Sequence, residues 1–396
     1  MKATFPIDQV KKRKALLNAV EEVRDICVAG AEEAENNGTL PEATVDALEQ
    51  SGLLAMKLPT ELGGAEADPV TQLQVIEAMT RIDPATGWVM MIGAASIASP
   101  AVFLPDEAIS QMFVGGRPPR AAGALMPTGH AVPVEGGYRV SGRWSFASGI
   151  RHSQWLSAGA LVVDEGGAVV ERLSIVFPTK EAVIHDNWQV AGLKGTGSND
   201  FSVSNLFVPD TFTWRRGSAQ KPLRGGPLYR IGLPGFLSVE HAAFALGVGR
   251  RALEAIIDLA QSKARGFTTY SNPSLLSNRL SFQLALARCD FRLRAARSLA
   301  VDIFDAAWVT VCQGGEPGPQ AHAEMRSAGT FATEVAADIV TDSFRYGGGT
   351  ALHSSNVLQQ CLRDIQAAAQ HYMVNDSAYE SHGQILLGLS DVNPMS

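Results

Sequence analysis

The feature of this sequence that most restricts its fold is a change in the spacing of hydrophobic residues along the chain. Between about residues 8 and 115, apolar residues recur at helical spacing, as at Leu16, Val20 and Val23. From about residue 120 to 215, short apolar runs such as WLSAGALVV are typical of strands, and Gly-Gly pairs separate them as turns. Beyond a Gly- and Pro-rich connector, long Ala- and Leu-rich helical patterns return. The chain is therefore predicted to be α+β, with helices, then strands, then helices.

These differences in the spacing of apolar residues divide the sequence into three predicted domains. They are an N-terminal helical domain (1–118), a central β domain (119–215) and a C-terminal helical bundle (216–396). A chain of 396 residues exceeds the roughly 100–200 residues of one ordinary domain. A dinucleotide-binding Rossmann unit is not predicted, because no strand pattern is followed by GxGxxG and a helix. The sequence also lacks a P-loop, HExxH and GxSxG.

Charge and cysteine content exclude several classes of partner. The chain carries 33 Lys and Arg against 40 Asp and Glu, a net charge of −7 without a long basic run, which argues against nucleic acid. Its four cysteines form no CxxC pair and no zinc spacing, which indicates free thiols and no metal. The basic N-terminus precedes no apolar segment, and no stretch approaches the ~20 apolar residues of a membrane span. We therefore expect a soluble, cytoplasmic protein.

Four segments, in this order, resemble the acyl-CoA dehydrogenase superfamily. They are residues 58–64 (LPTELGG), 142–149 (GRWSFASG), 192–201 (GLKGTGSNDF, followed by Val208-Pro209) and 345–349 (RYGGG, followed by Arg363-Asp364). Together they cover nearly the whole chain. The resemblance implies an N-terminal helical domain, a central β-barrel or sandwich, and a C-terminal four-helix bundle.

Departures from the dehydrogenase pattern point to a different branch. Dehydrogenases commonly place a catalytic Glu about eight residues after the Arg-Asp pair; here Tyr372 stands there, preceded by His371. Some dehydrogenases carry that Glu on another helix. The segment from Trp144 to His152 resembles the two-component flavin-dependent hydroxylases of phenols, indoles and dibenzothiophene, which have a His near position 371. That resemblance implies an oxygenase component that takes reduced flavin from a separate reductase and uses O2 through a C4a-hydroperoxyflavin.

The resemblance assigns the catalytic roles to His371 and Ser148. An imidazole at 371 could accept a proton from a phenol or an indole N–H. Related hydroxylases often have two serines before the Gly, but the first is Ala147 here, so Ser148 or the Ala147 N–H must contact the flavin. The alternatives are that His371 is a packed core residue and that Ser145 and Ser148 only complete strand ends.

Further site residues follow from the same resemblance. It implies that the flavin is held by several residues of the motif segments and of the C-terminal helices: Trp144, Ser145, Phe146, Ala147, Thr196, Ser198, Arg265, Phe267, Gly347 and Gly348. Trp88 and His152 would line the substrate pocket. Arg and Gly near the phosphates favour FAD (as FADH2) over FMN. In relatives the Gly-rich run comes from another subunit, which implies a homotetramer; alternatively, the run only ends a helix.

The expected substrate is a small electron-rich aromatic molecule. Residues 186–198 and 149–152 resemble the indole-hydroxylating members, including those of indole-terpenoid biosynthesis, so an indole is preferred over a phenol. Three other functions stay open at this point. They are N-oxygenation of an amino sugar, a true acyl-CoA dehydrogenase with a displaced Glu, and a carrier that has lost catalysis.

Overall fold

The computed structural model describes residues 5–163, 168–215, 221–263, 275–389 and 392–393. The chain forms two compact units. The first comprises Met1–Ala67, Trp88–Val190 and Lys194–Tyr229, and the second comprises Asp68–Gly87, Ala191–Leu193 and Arg230–Ser396. The three predicted domains follow the order of elements along the chain, whereas these units follow packing in space.

The first helices confirm the predicted spacing. Helix α1 (Gln9–Asn37) begins where the Asp8 carboxylate accepts a hydrogen bond from the Lys11 N–H, and it ends at Gly38 with φ of 67°. Its apolar stripe, including Leu16, Val20 and Val23, is buried. The other helices before the sheet are α2 (Glu42–Gln50), α3 (Pro69–Ile82), α4 (Pro84–Phe103) and α5 (Asp106–Met112).

Helix α4 corrects one expectation from the sequence. Its 20 residues have a mean hydropathy of 1.4, so this helix is long and apolar enough to cross a membrane. Small Gly, Ala and Ser residues among the large apolar ones conceal the stretch in the sequence. In the structure 72% of that window is buried. The helix therefore serves as a core helix of the protein.

The strands of the first unit form one seven-stranded sheet, which confirms the predicted central β region. The sheet order is β5-β6-β2-β1-β3-β4-β7, and β1 and β3 pair in parallel whereas the other neighbours are antiparallel. Gly136, with φ of 76°, forms the tight turn between β1 and β2; the Gly-Gly pair at 166–167 lies outside the described residues. The strands are β1 (Ala121–Val134), β2 (Gly137–Trp144), β3 (Trp155–Val163), β4 (Val169–Pro178), β5 (Val183–Ile184), β6 (Phe201–Pro209) and β7 (Thr213–Arg215).

The C-terminal helices belong to the second unit. Helix α6 is buried along nearly all of its first half, from Pro234 to Gly249, which is why its sequence is apolar on every face. Helix α7 instead buries one stripe and exposes the opposite face. The helices of this region are α6 (Gly232–Ser262), α7 (Leu280–Cys312), α8 (Pro319–Gly347), α9 (Val357–Ala368) and α10 (Ser377–Leu386). The predicted return to long helices is confirmed.

Two of the four motif segments meet in this second unit. The Leu193 N–H donates to the Asp364 carboxylate at 2.6 Å, and the Arg363 guanidinium donates to the Ala191 carbonyl at 3.0 Å. A Cβ on Gly192 would lie only 2.0 Å from the Arg363 carbonyl oxygen, so only glycine permits this approach. Arg363 and Asp364 therefore both hydrogen-bond to the backbone of residues 191–193 and hold it in place.

Candidate active site

The turn after β2 carries the most unusual backbone of the first unit. Phe146 has a positive φ of 68°, a conformation that bulky residues rarely adopt. Its ring is 71% exposed and meets the Trp188 ring edge-on, with centroids 6.3 Å apart. Strained, exposed aromatic residues of this kind cluster at functional sites.

Two residues further on, the Ser148 hydroxyl belongs to a row of buried hydrogen bonds. The Trp88 indole N–H donates to Ser148 Oγ at 3.0 Å, because indole nitrogen is only a donor. Ser148 Oγ lies 2.8 Å from Ser198 Oγ, which lies 2.7 Å from Thr196 Oγ1. When Ser198 also donates to Ser148, the Ser148 hydroxyl accepts two bonds and directs its own hydrogen outward. We call Trp88, Ser148, Ser198 and Thr196 the hydroxyl row.

The backbone geometry distinguishes the two donors considered from the sequence. The Ala147 N–H already donates to the Asn199 carbonyl at 3.3 Å. Ala147 itself is fully buried. Of the two groups, the Ser148 hydroxyl is the one that the local structure leaves able to donate to a ligand.

Trp144 and Ser145, which precede this turn, make their contacts with residues of the sheet and its connections. Trp144 is 1% exposed, donates from its indole to the Gly159 carbonyl at 2.7 Å and stacks on Phe201. Ser145 contacts the Asp200 carboxylate, whose pKa is lowered by hydrogen bonds from Arg143, Asn187 and Ser145, which outweigh its desolvation. The structure thus gives both side chains packing and ion-pair contacts.

Trp88 and His152, the two residues predicted to line a substrate pocket, are both hydrogen-bonded within the first unit. Trp88 is 6% exposed, and its indole N–H supports the hydroxyl row through Ser148. Both ring nitrogens of His152 are occupied, Nδ1 by Glu42 at 3.0 Å and Nε2 by Thr39 at 3.1 Å. These contacts were invisible in the sequence, because the residues lie 60 or more positions apart.

His371 lies just beyond α9 in the second unit. Its backbone N–H donates to the Ala368 carbonyl, and its ring packs against the His241 ring with centroids 4.2 Å apart. Desolvation lowers its pKa from 6.5 to about 4, so the imidazole is neutral at physiological pH. Nδ1 accepts the Met373 N–H at 3.3 Å, which places the proton of the neutral ring on Nε2. His241 belongs to α6, and the planes of the two rings are tilted by 31°.

The Gly-rich run ends α8 in the same unit. Gly348 has φ of 54° and ψ of −146°, and the Gly347 carbonyl accepts a hydrogen bond from the Lys263 ammonium. Lys263 also donates to Thr350 Oγ1 at 2.6 Å. Arg265 and Phe267 lie outside the described residues. Lys263, which the sequence did not point to, brings a cation to this partly buried turn.

The residues of the Ser148 turn fit a flat heteroaromatic cofactor. Phe146 and Trp188 offer apolar ring surface, and the Ser148 hydroxyl offers one directed donor next to them. A flavin ring needs this combination of apolar contact and a few placed hydrogen bonds. Lys263 and the Gly347–Gly348 turn have the chemistry that suits a phosphate.

The burial of His371 predicts a specific dependence of stability on pH. The unfolded ring takes up a proton below about pH 6.5, whereas the folded ring resists it down to about pH 4, so stability falls as the pH drops through this window. Between about pH 7.5 and about pH 5, urea unfolding should show a loss of about 2 kcal/mol in the wild type that His371→Gln lacks. Parallel pH profiles for the two proteins would contradict the assignment.

Comparison with known protein families gives two matches. The family described as "Acyl-CoA dehydrogenase, N-terminal domain" matches residues 11–113, and "Acyl-CoA dehydrogenase, C-terminal domain" matches residues 239–376. The matched parts lie on either side of the sheet in the sequence and contain α7, α8 and α9 as well as His371.

Individual relatives are similar over nearly their whole length. An indole-3-acetate monooxygenase of Pseudomonas putida is 27% identical over 87% of this chain and 86% of its own. A flavin-dependent monooxygenase, oxygenase subunit HsaA, of Mycobacterium tuberculosis is 27% identical over 95% of each chain. The solved structure of XiaF from Streptomyces sp., in complex with FADH2 and glycerol, superposes with a TM-score of 0.88 at 25% identity over 98% of both chains.

Proposed function

We propose that this chain, which belongs to the acyl-CoA dehydrogenase superfamily and is the oxygenase component of a two-component flavin-dependent monooxygenase, hydroxylates the ring of an indole. The observation that carries the proposal is the neutral, closely packed His371, one residue before the place where dehydrogenases commonly have a carboxylate. An imidazole there suits proton exchange with a weakly acidic aromatic group, rather than abstraction of a proton next to a thioester.

When bound, a reduced flavin from a separate reductase would supply the two electrons with which one oxygen atom of O2 is inserted into the substrate and the other leaves as water. The chain's task is to bind the ring, orient it and keep water away. Ser148 donates a hydrogen bond to the flavin ring, and Ser198 and Thr196 hold the Ser148 hydroxyl in that direction. Phe146 and Trp188 pack on the ring.

FAD, rather than FMN, is the flavin that we propose. The support is the Lys263 ammonium beside the Gly347–Gly348 turn, because a cation next to a glycine backbone suits the additional phosphate of a dinucleotide. FMN with a single phosphate is the alternative. Equilibrium titration with each reduced flavin distinguishes them, and a Lys263→Met variant should weaken FAD binding more than FMN binding.

His371 exchanges the substrate's proton through Nε2. In the resting tautomer Nε2 is the donor, which orients a substrate oxygen or ring. The Met373 bond to Nδ1 is long at 3.3 Å, so moving the proton to Nδ1 sacrifices only a weak contact. That second tautomer presents a lone pair on Nε2 to an indole N–H. His241, stacked on the ring, keeps the imidazole plane fixed through either tautomer.

An indole is favoured by two similarities. Residues 149–152 and 186–198 resemble the indole-hydroxylating members, and one curated relative is an indole-3-acetate monooxygenase. The test is turnover with a flavin reductase and NADH on indole, indole-3-acetate, a phenol and a nucleotide-linked amino sugar. Oxygenation of an indole supports the proposal; turnover of only the phenol or the amino sugar rejects it.

One observation favours a second candidate, a true acyl-CoA dehydrogenase. Glu240, on α6, is completely buried and precedes His241, whose ring contacts His371. It is a carboxylate on a helix other than α9, the arrangement that some dehydrogenases use. Loss of the oxidised flavin absorbance on adding an acyl-CoA, abolished by Glu240→Gln, would establish this candidate.

We also propose a homotetramer. The outward face of α7 carries an apolar row with Leu280 80% exposed, Leu284 54% exposed and Phe291 70% exposed. Rows of large exposed apolar residues at this spacing mark helix–helix contacts between chains. Light scattering should give four times the mass of one chain, and Phe291→Asp should lower it. A monomer at micromolar concentration contradicts the proposal.

A further inference from the structure

A small cavity lies in the first unit directly beside the turn that carries Ser148. Its volume is about 30 Å³. Most of its wall is apolar and comes from α2, α4, the segment between them and the start of β1, with Ser148 and Gly149 contributing another part. The apolar wall consists of Val45, Leu48, Leu54, Val89, Gly93, Ile97, Pro119 and Ala121.

The polar side chains of the wall are Arg120, Ser148, His152 and Ser153, and each is already hydrogen-bonded inside the protein. The Arg120 guanidinium donates through Nε, Nη1 and Nη2 to three carboxylates on α2, which are those of Glu49, Glu42 and Asp46. These bonds raise the pKa of Arg120, which stays charged and committed to α2.

The remaining polar groups are committed as well. His152 bonds through both ring nitrogens to Glu42 and Thr39. Ser153 Oγ donates to the Ile150 carbonyl at 2.8 Å, and Ser148 is part of the hydroxyl row. Ser148 can offer a water at most its one remaining hydroxyl hydrogen, whereas a buried water needs two to four polar partners, so this wall disfavours water. Small apolar cavities of this kind stay dry and accept small apolar guests such as xenon.

We propose that this cavity is a binding site for molecular oxygen next to Ser148. Its volume admits a diatomic molecule and excludes an aromatic ring, because roughly 10–15 Å³ suffices for one water-sized molecule. O2 is apolar and is the co-substrate of the reaction proposed above, on which this inference rests. The cavity stores O2 beside the hydroxyl that contacts the flavin.

Gly93 on α4 provides the means to test this site. A Cβ at Gly93 would meet Leu54 Cδ2 at 3.4 Å and the Ala121 carbonyl at 3.9 Å, both ordinary contacts with wall residues. Alanine should therefore fit at this position, whereas the larger branched valine should occupy the cavity. Ser99→Val is the matched control, since it adds the same side chain to α4 at a residue outside the wall.

The first experiment uses crystals of the flavin-free protein under xenon pressure. We expect xenon in the wild-type cavity and in Ser99→Val, and none in Gly93→Val. Ordered water in place of xenon in the wild-type cavity would overturn the proposal.

The second experiment measures how fast O2 reoxidises the bound reduced flavin, without aromatic substrate. Gly93→Val should lower the second-order rate constant about tenfold while the affinity for reduced flavin stays unchanged. Ser99→Val should react like the wild type. A Gly93→Val protein that reoxidises at the wild-type rate refutes the site. Failure of the proposed function would appear separately, as wild-type protein that takes up xenon and O2 yet oxygenates no indole.

Discussion

Replacing His371 with glutamine should lower the rate of indole hydroxylation about 10²- to 10⁴-fold, the usual contribution of a positioned acid–base group. The reduced flavin should bind as in the wild type, and O2 should still be consumed, but it should appear as hydrogen peroxide. The reason is that glutamine cannot exchange the substrate's proton, whereas the Ser148 turn that meets the flavin is unchanged. Single-turnover mixing with product mass and peroxide quantified together measures this.

The control for this variant is His353→Gln, which changes an exposed histidine before α9. It should behave as the wild type. If His371→Gln retained full hydroxylation, His371 would have no acid–base role. The proposal that the protein hydroxylates an indole would then lose its main support. If His371→Gln instead lost flavin binding, the effect would be structural.

The second large effect is expected at the hydroxyl row. Ser148→Ala removes the outward-directed donor, and the ratio of product to hydrogen peroxide should fall about 10²-fold, as when one donor of an oxyanion site is deleted. Trp88→Phe keeps the Ser148 hydroxyl but removes the N–H that orients it, so it should cause a smaller fall of about tenfold.

Ser145→Ala is the matched comparison for the hydroxyl row. Ser145 is three residues from Ser148 in the same turn, but its hydroxyl serves the Asp200 carboxylate. This variant should leave the ratio of product to peroxide unchanged. Equal losses for Ser145→Ala and Ser148→Ala would mean that the turn as a whole, and not the Ser148 donor, controls the reaction.

The order of elements could be predicted from the sequence because it depends on local periodicity. The apolar stripe of α1 and the strands β2, β3 and β4 lie where the spacing placed them, since burial of one face requires that spacing. The turn between β1 and β2 could be predicted for the same reason, because its Gly-Gly sequence permits the positive φ that Gly136 adopts. Helix α4 was the exception, because small residues concealed its apolar length.

The contacts that build the candidate site could not be predicted in the same way. The Trp88–Ser148 hydrogen bond joins residues 60 positions apart, and nothing local to either residue encodes it. The sequence pointed to Trp88 as an aromatic wall, whereas packing turned its N–H toward Ser148. His241 likewise meets His371 only because α6 and the end of α9 come together in the fold. The positive φ of Phe146 is imposed by the same tertiary context.

The resemblance to a family supplied what periodicity could not. It identified His371 and Ser148 as a pair to examine, and the structure then added the proton position on His371 and the donor row behind Ser148. It also pointed to Arg363 and Asp364, which the structure places in contact with residues 191–193. The close approach of these backbones requires glycine at position 192.

The most direct test of the account is a single turnover of the protein with reduced FAD, indole and ¹⁸O2. We expect an indole product that carries one ¹⁸O atom, in a yield that depends on His371 and Ser148. Unlabelled indole with all of the O2 recovered as hydrogen peroxide would contradict the assignment of an indole substrate. Loss of the oxidised flavin absorbance on adding an acyl-CoA, without any oxygenated product, would contradict the oxygenase itself.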